Sequence, residues 1–201
     1  MSAKEKPRCT WPGLEHPEYL HYHDTEWGVP VANDQKLFEK LVLEGFQSGL
    51  SWLTILRKRE NFRAAFHGFD AERIARYTDK DKSRLMADAG IIRNRLKIDA
   101  TIDNARAFLK LQDDKGLGVY LWDFFDGKPQ INAFGKHSAV PPVTDMSTRI
   151  SKALKKDGFR FVGPTTVYAF LQSMGFVNDH LTTCHRHAAC AKLQKTFKAP
   201  R

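Results

Sequence analysis

The chain has 201 residues, 42% of them hydrophobic, and a formal net charge of +9, enough for one compact body or two closely packed lobes whose core needs no disulfide help. Three cysteines are an odd number, which argues against a secreted disulfide framework and for a reducing cytoplasm; the charged start leads into no apolar signal core, and no run approaches the ~20 apolar residues of a membrane span. The positive excess suits a polyanion, since each neutralised phosphate releases counterions, although solvated helix faces such as Arg57-Lys58-Arg59 and Lys155-Lys156 account for the same charge.

The first informative stretch runs from Tyr19 to Trp52. Tyr19, Tyr22, Trp27 and Trp52 offer flat π-faces, Trp11 adds an edge, and Glu44 follows Leu41-Val42-Leu43 on a segment that otherwise reads as core. A sequestered acid needs a partner or a function, and beside aromatic faces it suits a planar, electron-poor ring. The bland alternative stays open: aromatics at helical spacing are usually core, and Glu26 fits a surface or capping acid.

Apolar spacing is helical along the chain. Leu37, Phe38, Leu41 and Val42 form one stripe after an Asn33-Asp34 cap; Trp52, Ile55, Leu56, Phe62 and Phe66 form a second that stops at Gly68; Ile98, Ile102, Ala105, Phe108 and Leu109 form a third. Asp79 precedes another helix, Asp145 and Gly158 bracket one through Ile150 and Leu154, and Pro164 and Gly175 bracket the next. Strand signals are weak, with a short candidate near Pro129-Gln130-Ile131, and 126–142 is the expected irregular segment. The fold class is therefore all-α.

Between helices expected to end near Ala89 and to start near Arg93 lies Gly90-Ile91-Ile92, a turn short enough to force a tight hairpin, with Gly90 supplying a positive φ. A helix start with free N–H groups near Arg93, Arg95 and Lys97 suits a phosphate of any sequence, and ordinary packing suits it as well. Further on, His180 and Cys184 stand four residues apart on an expected C-terminal helix, within reach of one ion, and Cys9 and His23 would complete two thiolates and two imidazoles. Such an ion would clip together distant parts of the chain. Spacing fixes the ligand class more than the identity, because His185, His187 and Cys190 compete, and buried structural cysteines with a packed histidine fit the same residues.

Several stretches carry a resemblance: Glu26-Trp27-Gly28-Val29-Pro30, Leu43-Glu44-Gly45, Gly49-Leu50-Ser51-Trp52, Asp88-Ala89-Gly90-Ile91-Ile92-Arg93-Asn94-Arg95 and Val177-Asn178-Asp179-His180. Over 9–184 the chain resembles the 3-methyladenine DNA glycosylase I family. The resemblance implies a helix-hairpin-helix DNA glycosylase fold with two helical lobes, 33–145 carrying the hairpin and 1–32 with 146–201 carrying a structural zinc on Cys9, His23, His180 and Cys184. It implies a monomeric, cytoplasmic enzyme that binds alkylated double-stranded DNA and hydrolyses the N-glycosidic bond of 3-methyladenine, releasing the free base and leaving an abasic site without strand cleavage. Glu44, Tyr22 and Trp52 would contact the flipped base and Trp11, Tyr19 and Trp27 would line its pocket, with Glu44 as the catalytic anion. Gly90, Ile92, Arg93, Arg95 and Lys97 would meet the DNA backbone, although many superfamily members carry two glycines where this chain has Gly90-Ile91-Ile92.

Phe46 is a second departure, since members carry a polar amide two residues after the pocket acid; a phenyl ring facing the cavity would change its hydrogen bonding and the range of lesions. No segment matches the aspartate or Schiff-base lysine that other superfamily relatives use on the sugar. Two rival readings remain at this level: a module that binds alkylated base without turnover, and a zinc hydrolase with His180 and Cys184 as catalytic ligands.

Overall fold

The computed structural model describes residues 6–201, and among them ten α-helices and a single pair of two-residue strands. The helix that organises the rest is α2 (Asp34–Gln47), following α1 (Pro17–Thr25). Asn33 starts α2 by accepting from the Lys36 N–H at 3.0 Å, and from Leu37 to Phe46 all but one of its residues are buried, so it is covered on every side. It packs on α3 (Trp52–Ala65), α6 (Arg95–Asp114), α7 (Gly116–Asp123) and α9 (Pro164–Ser173).

Local chemistry explains the boundaries. Thr78 and Asp81 form a capping box at the start of α5 (Asp79–Ala87), which follows the short α4 (Ala71–Ala75). Pro164 occupies the first turn of α9, and Gly175 ends it at φ +70°, where a Cβ would stand 2.3 Å from the Pro30 nitrogen. The core is rich in phenylalanine: Phe46, Phe62, Phe66 and Phe69 are all at most 1% exposed, and each such ring stabilises the fold by about 1.5–3 kcal/mol. One continuous apolar cluster includes residues of both expected lobes, from Tyr22 and Trp27 through Phe108 to Phe176.

The irregular segment expected at 126–142 contains β1 (Gln130–Ile131), which pairs in parallel with β2 (Val177–Asn178) just before the C-terminal ligand segment. α8 (Asp145–Lys156) starts at the expected Asp145 behind a capping box at Thr144, and α10 (His185–Thr196) is the last helix. Two expectations need correction. His180 and Cys184 do not share a helix: Cys184 is the N-cap of α10, its Sγ accepting from the Arg186 N–H at 3.4 Å, and His180 lies in the turn before it. Gly90 lacks the positive φ expected of it; the turn needs it for close approach, because a Cβ there would stand 2.9 Å from Asp88 Oδ1 and 3.2 Å from Asn61 Nδ2.

Candidate functional site

Tyr22 on α1, Glu44 on α2 and Trp52 at the start of α3 meet at one cavity of about 220 Å³, also lined by Trp11, Tyr19 and Trp27. The volume lies below that of drug-sized pockets, so the cavity takes one small ring system. Ser51 fixes the start of α3 by accepting from the Thr54 N–H at 3.2 Å, which sets Trp52 at the rim of the core. The rings form a continuous cage: Trp11 meets Trp27 edge-on at 4.6 Å between centroids, Tyr19 stacks on Tyr22 at 6.2 Å, and Tyr22 leans on Trp52 at 5.4 Å. The indole N–H of Trp52 is buried and meets no acceptor among the described residues.

Glu44 is 4% exposed, and its charge is answered by Lys40 one turn earlier, whose Nζ lies 2.9 Å from Oε1. Lys40 also donates to the Tyr22 hydroxyl at 2.9 Å and stands 3.1 Å from the centre of the Trp52 ring. Burial pulls its ammonium down to about 8, against the pull of Glu44 in the other direction. Burial, then the Glu44 charge, raises the Tyr22 phenol well above its ordinary value. A second buried carboxylate, Asp179, also lines the cavity and accepts from Tyr168 Oη at 2.5 Å, Gln172 Nε2 at 2.8 Å and Asn132 Nδ2 at 2.6 Å.

Phe46 does not face this cavity. Its ring packs in the core on Phe62 at 4.7 Å and Phe66 at 5.9 Å, because two residues along a helix is more than half a turn. The polar side chain near Glu44 is Gln47, one turn on, which lines the cavity. Sequence reasoning passed over Gln47, Lys40, His137, Gln172 and Asp179. Helical spacing from Glu44 would have found Gln47 and Lys40, whereas His137 and Gln172 arrive by chain folding alone.

In and just after the connection from α5 to α6, Arg93 and Arg95 are exposed and Ile92 half-buried, with Arg95 paired to Asp99 at 3.3 Å and Asp79 at 3.7 Å. The Gly90 carbonyl accepts from Lys58 Nζ and Asn61 Nδ2, both at 3.2 Å. Lys97 is a correction: it is 7% exposed, and its ammonium turns inward to donate to the Phe46 and Ser48 carbonyls at 2.7 and 2.6 Å. The last carbonyls of α2 lack helical partners, so a cation there caps the helix and is lost to any phosphate.

The four expected metal ligands converge although they come from distant segments. One donor atom from each of Cys9, His23, His180 and Cys184 lies within 4.8 Å of the others, and all four residues are buried. Cys9 Sγ to His180 Nδ1 is 3.5 Å, Cys184 Sγ to His23 Nε2 is 3.6 Å, and Cys184 Sγ to His180 Nδ1 is 3.7 Å. Zinc bonds of about 2.3 Å to sulfur and 2.0–2.1 Å to nitrogen, set tetrahedrally, put S and N about 3.6 Å apart, so the residues fit that ion. The far ring nitrogens are held as a metal site requires: His23 Nδ1 lies 2.8 Å from Asp24 Oδ1 and His180 Nε2 lies 3.0 Å from the Trp27 carbonyl, leaving His23 Nε2 and His180 Nδ1 toward the thiols.

Burial opposes the Asp24 charge, yet hydrogen bonds from Arg8, His23 and His185 outweigh it and hold the carboxyl well below the usual range. Of the two thiols Cys184 loses its proton first, because Cys9, His180 and His23 all favour its thiolate. The competing residues stand apart: His187 Nε2 lies 2.8 Å from the Asn132 carbonyl, His185 supports Asp24 at 3.1 Å, and Cys190 Sγ lies 3.8 Å from the Trp27 carbonyl.

Residues 11–187 match a protein family described as methyladenine glycosylase. The chain is 49% identical to DNA-3-methyladenine glycosylase 1 of Escherichia coli, covering 88% of this chain and 95% of that protein. It is 48% identical to DNA-3-methyladenine glycosylase of Haemophilus influenzae, covering 88% and 96%. Its fold superposes on a crystal structure of 3-methyladenine DNA glycosylase I with a TM-score of 0.87 at 49% identity, over 89% of this chain and 98% of that one. A structure concerned with 3-methyladenine recognition by the enzyme from Staphylococcus aureus gives 0.83 at 40% identity, over 86% and 93%. The aromatic cage around Glu44 and the agreement in sequence and fold along nearly the whole chain lead to one assignment: this chain belongs to the methyladenine glycosylase family.

Proposed function

We propose that this protein is a base-excision repair glycosylase that removes 3-methyladenine from alkylated double-stranded DNA. The observation that carries the reading is the aromatic cage with Glu44 in its wall. A base within a duplex cannot present its glycosidic bond, so the nucleotide is extruded, at a cost of a few kcal/mol that is least for damaged pairs. Methylation at N3 makes the base a cation and a good leaving group. The rings of Tyr22 and Trp52 attract that cation, and the Glu44 carboxylate accepts from its amine edge.

The C1′–N9 bond breaks with its electron pair passing to the base, which departs neutral; water supplies the oxygen that replaces it on C1′ and releases one proton. Glu44 acts by binding and by electrostatic stabilisation of the positive charge that develops on the sugar. Among the described residues no amine lines the cavity, which supports a monofunctional reaction that leaves the strand intact. Arg93, with Ile92, Gly90 and the start of α6, forms the backbone-binding surface.

Cys9, His23, His180 and Cys184 hold one zinc ion, which when bound supplies a structural cross-link with no open coordination position. The four protein donors and their outer partners support a closed site over a hydrolytic one. Buried thiols without disulfide partners suit the reducing bacterial cytoplasm, where the chain acts as a monomer. The test is chromatography of bases released from methylated duplex DNA, with a gel for strand breaks. Free 3-methyladenine with intact strands is expected, and no release by folded, zinc-loaded protein would replace this reading with a binding module.

A further inference from the structure

Among the described residues the Glu44 carboxylate is ion-paired with Lys40, which does not line the base cavity. Lys40 sits behind the wall that Tyr22 and Trp52 make, at the edge of a second cavity of about 500 Å³ bordered by Glu26, Glu39, Arg59 and Arg63. Its ammonium touches three parts of the cage at once: Glu44 Oε1 at 2.9 Å, Tyr22 Oη at 2.9 Å and the face of Trp52 at 3.1 Å. The other charges near it are already matched, Arg59 with Glu26 at 2.6 Å and Arg63 with Glu39 at 2.7 Å.

We propose that Lys40 is the positioning residue of the base cavity: from behind the cage it supplies the counter-charge that holds the Glu44 carboxylate by Oε1, so that Oε2 is offered to the cationic base. This rests on the reading of Glu44 as the anion of the base site. A carboxylate buried to this degree without a cation is neutralised by taking up a proton, and a neutral acid neither attracts a cation nor stabilises a charged sugar. Because Nζ donates to the Tyr22 oxygen, the phenol proton is turned away from Lys40. The groups that set the charge state of Lys40 come from all three surrounding helices: Glu44 on α2, Tyr22 and Glu26 on and after α1, and Arg59 on α3. Burial lowers the ammonium to about 8, so the counter-charge is in place at neutral pH.

The test is the pH dependence of kcat/KM for excision by the zinc-loaded protein, in wild type, Lys40→Met and Lys40→Arg. Lys40→Met is expected to lose at least about tenfold near pH 6.5, one pKa unit of lost carboxylate, and to recover as the pH rises toward 9, while Lys40→Arg matches the wild type below pH 8, where both side chains carry the counter-charge. A wild-type profile and rate in Lys40→Met would overturn the inference, whereas wild-type protein that releases no base would overturn the underlying reading. Should Lys40→Met fail to fold, the double variant Lys40→Met, Glu44→Gln decides: a folded double variant means the unpaired carboxylate caused the failure, as inferred, and an unfolded one means Lys40 serves packing alone.

Discussion

Replacing Lys97 by methionine separates two roles that a lysine at a helix start can play. The substitution keeps the aliphatic stem and removes donors that lie 2.7 and 2.6 Å from the Phe46 and Ser48 carbonyls. Phe46 is 1% exposed, so its carbonyl is left buried and unpaired at a cost of about 1–3 kcal/mol. The Ser48 carbonyl belongs to an exposed residue that water can reach, and the desolvation cost of the ammonium disappears, so a net loss of about 2 kcal/mol is expected. For a chain of this size that lowers Tm by about 4–8 °C. Thermal denaturation of the zinc-loaded protein reads the first effect, and the salt dependence of binding to undamaged duplex reads the second. An inward-facing Lys97 leaves the salt slope unchanged, whereas a phosphate contact would reduce it by about one. An unchanged Tm together with a reduced slope would refute the capping argument.

Glu44→Gln is expected to keep the fold and lower kcat/KM on the cationic lesion by about a hundredfold, in line with the removal of one preorganised electrostatic group; an unimpaired rate would remove Glu44 from the mechanism. Asp24→Asn weakens the hold on His23 and should reduce zinc affinity by about 10–100-fold in chelator competition, with wild-type affinity speaking against the outer support of the site. Stripping zinc from the wild type should lower Tm, and titrating it back should raise Tm with zinc concentration; a melting curve blind to the metal would contradict the cross-link. Gly175→Ala drives a Cβ against the Val29–Pro30 backbone at a positive φ and should cost more than about 2 kcal/mol in chemical denaturation.

Where structure follows from local chemistry, the sequence was enough. Asn33 caps α2, Asp79 and Asp145 open α5 and α8 where expected, and Pro164 and Gly175 bound α9. Glu44 was legible as an acid in an apolar run, whereas the rings around it took their roles from the family resemblance, because aromatics at helical spacing are usually core. Lys97 was misread because a cation at the start of α6 looks the same whether it faces phosphate or the end of α2, 49 to 51 residues away. Phe46 was decidable from the helical period alone, being on the far side of α2 from Glu44. His180 and Cys184 were paired for a mistaken reason: the expected helix gives way to a turn whose last residue caps α10, and the turn brings the two side chains together just as a helix would. His137 and Gln172 reach the cavity by tertiary folding, for which no spacing rule exists.

Tyr22, His23 and Asp24 are consecutive on α1, and each serves a different structure: the base cavity, the four-ligand cluster and the support behind it. Three neighbouring side chains on a helix point about 100° apart, so these demands lock the helix about its own axis. Inserting or deleting one residue before Tyr22 would rotate all three at once and scramble both centres together. A shift of register in α1 therefore cannot alter the four-ligand cluster and leave the base cavity as it was.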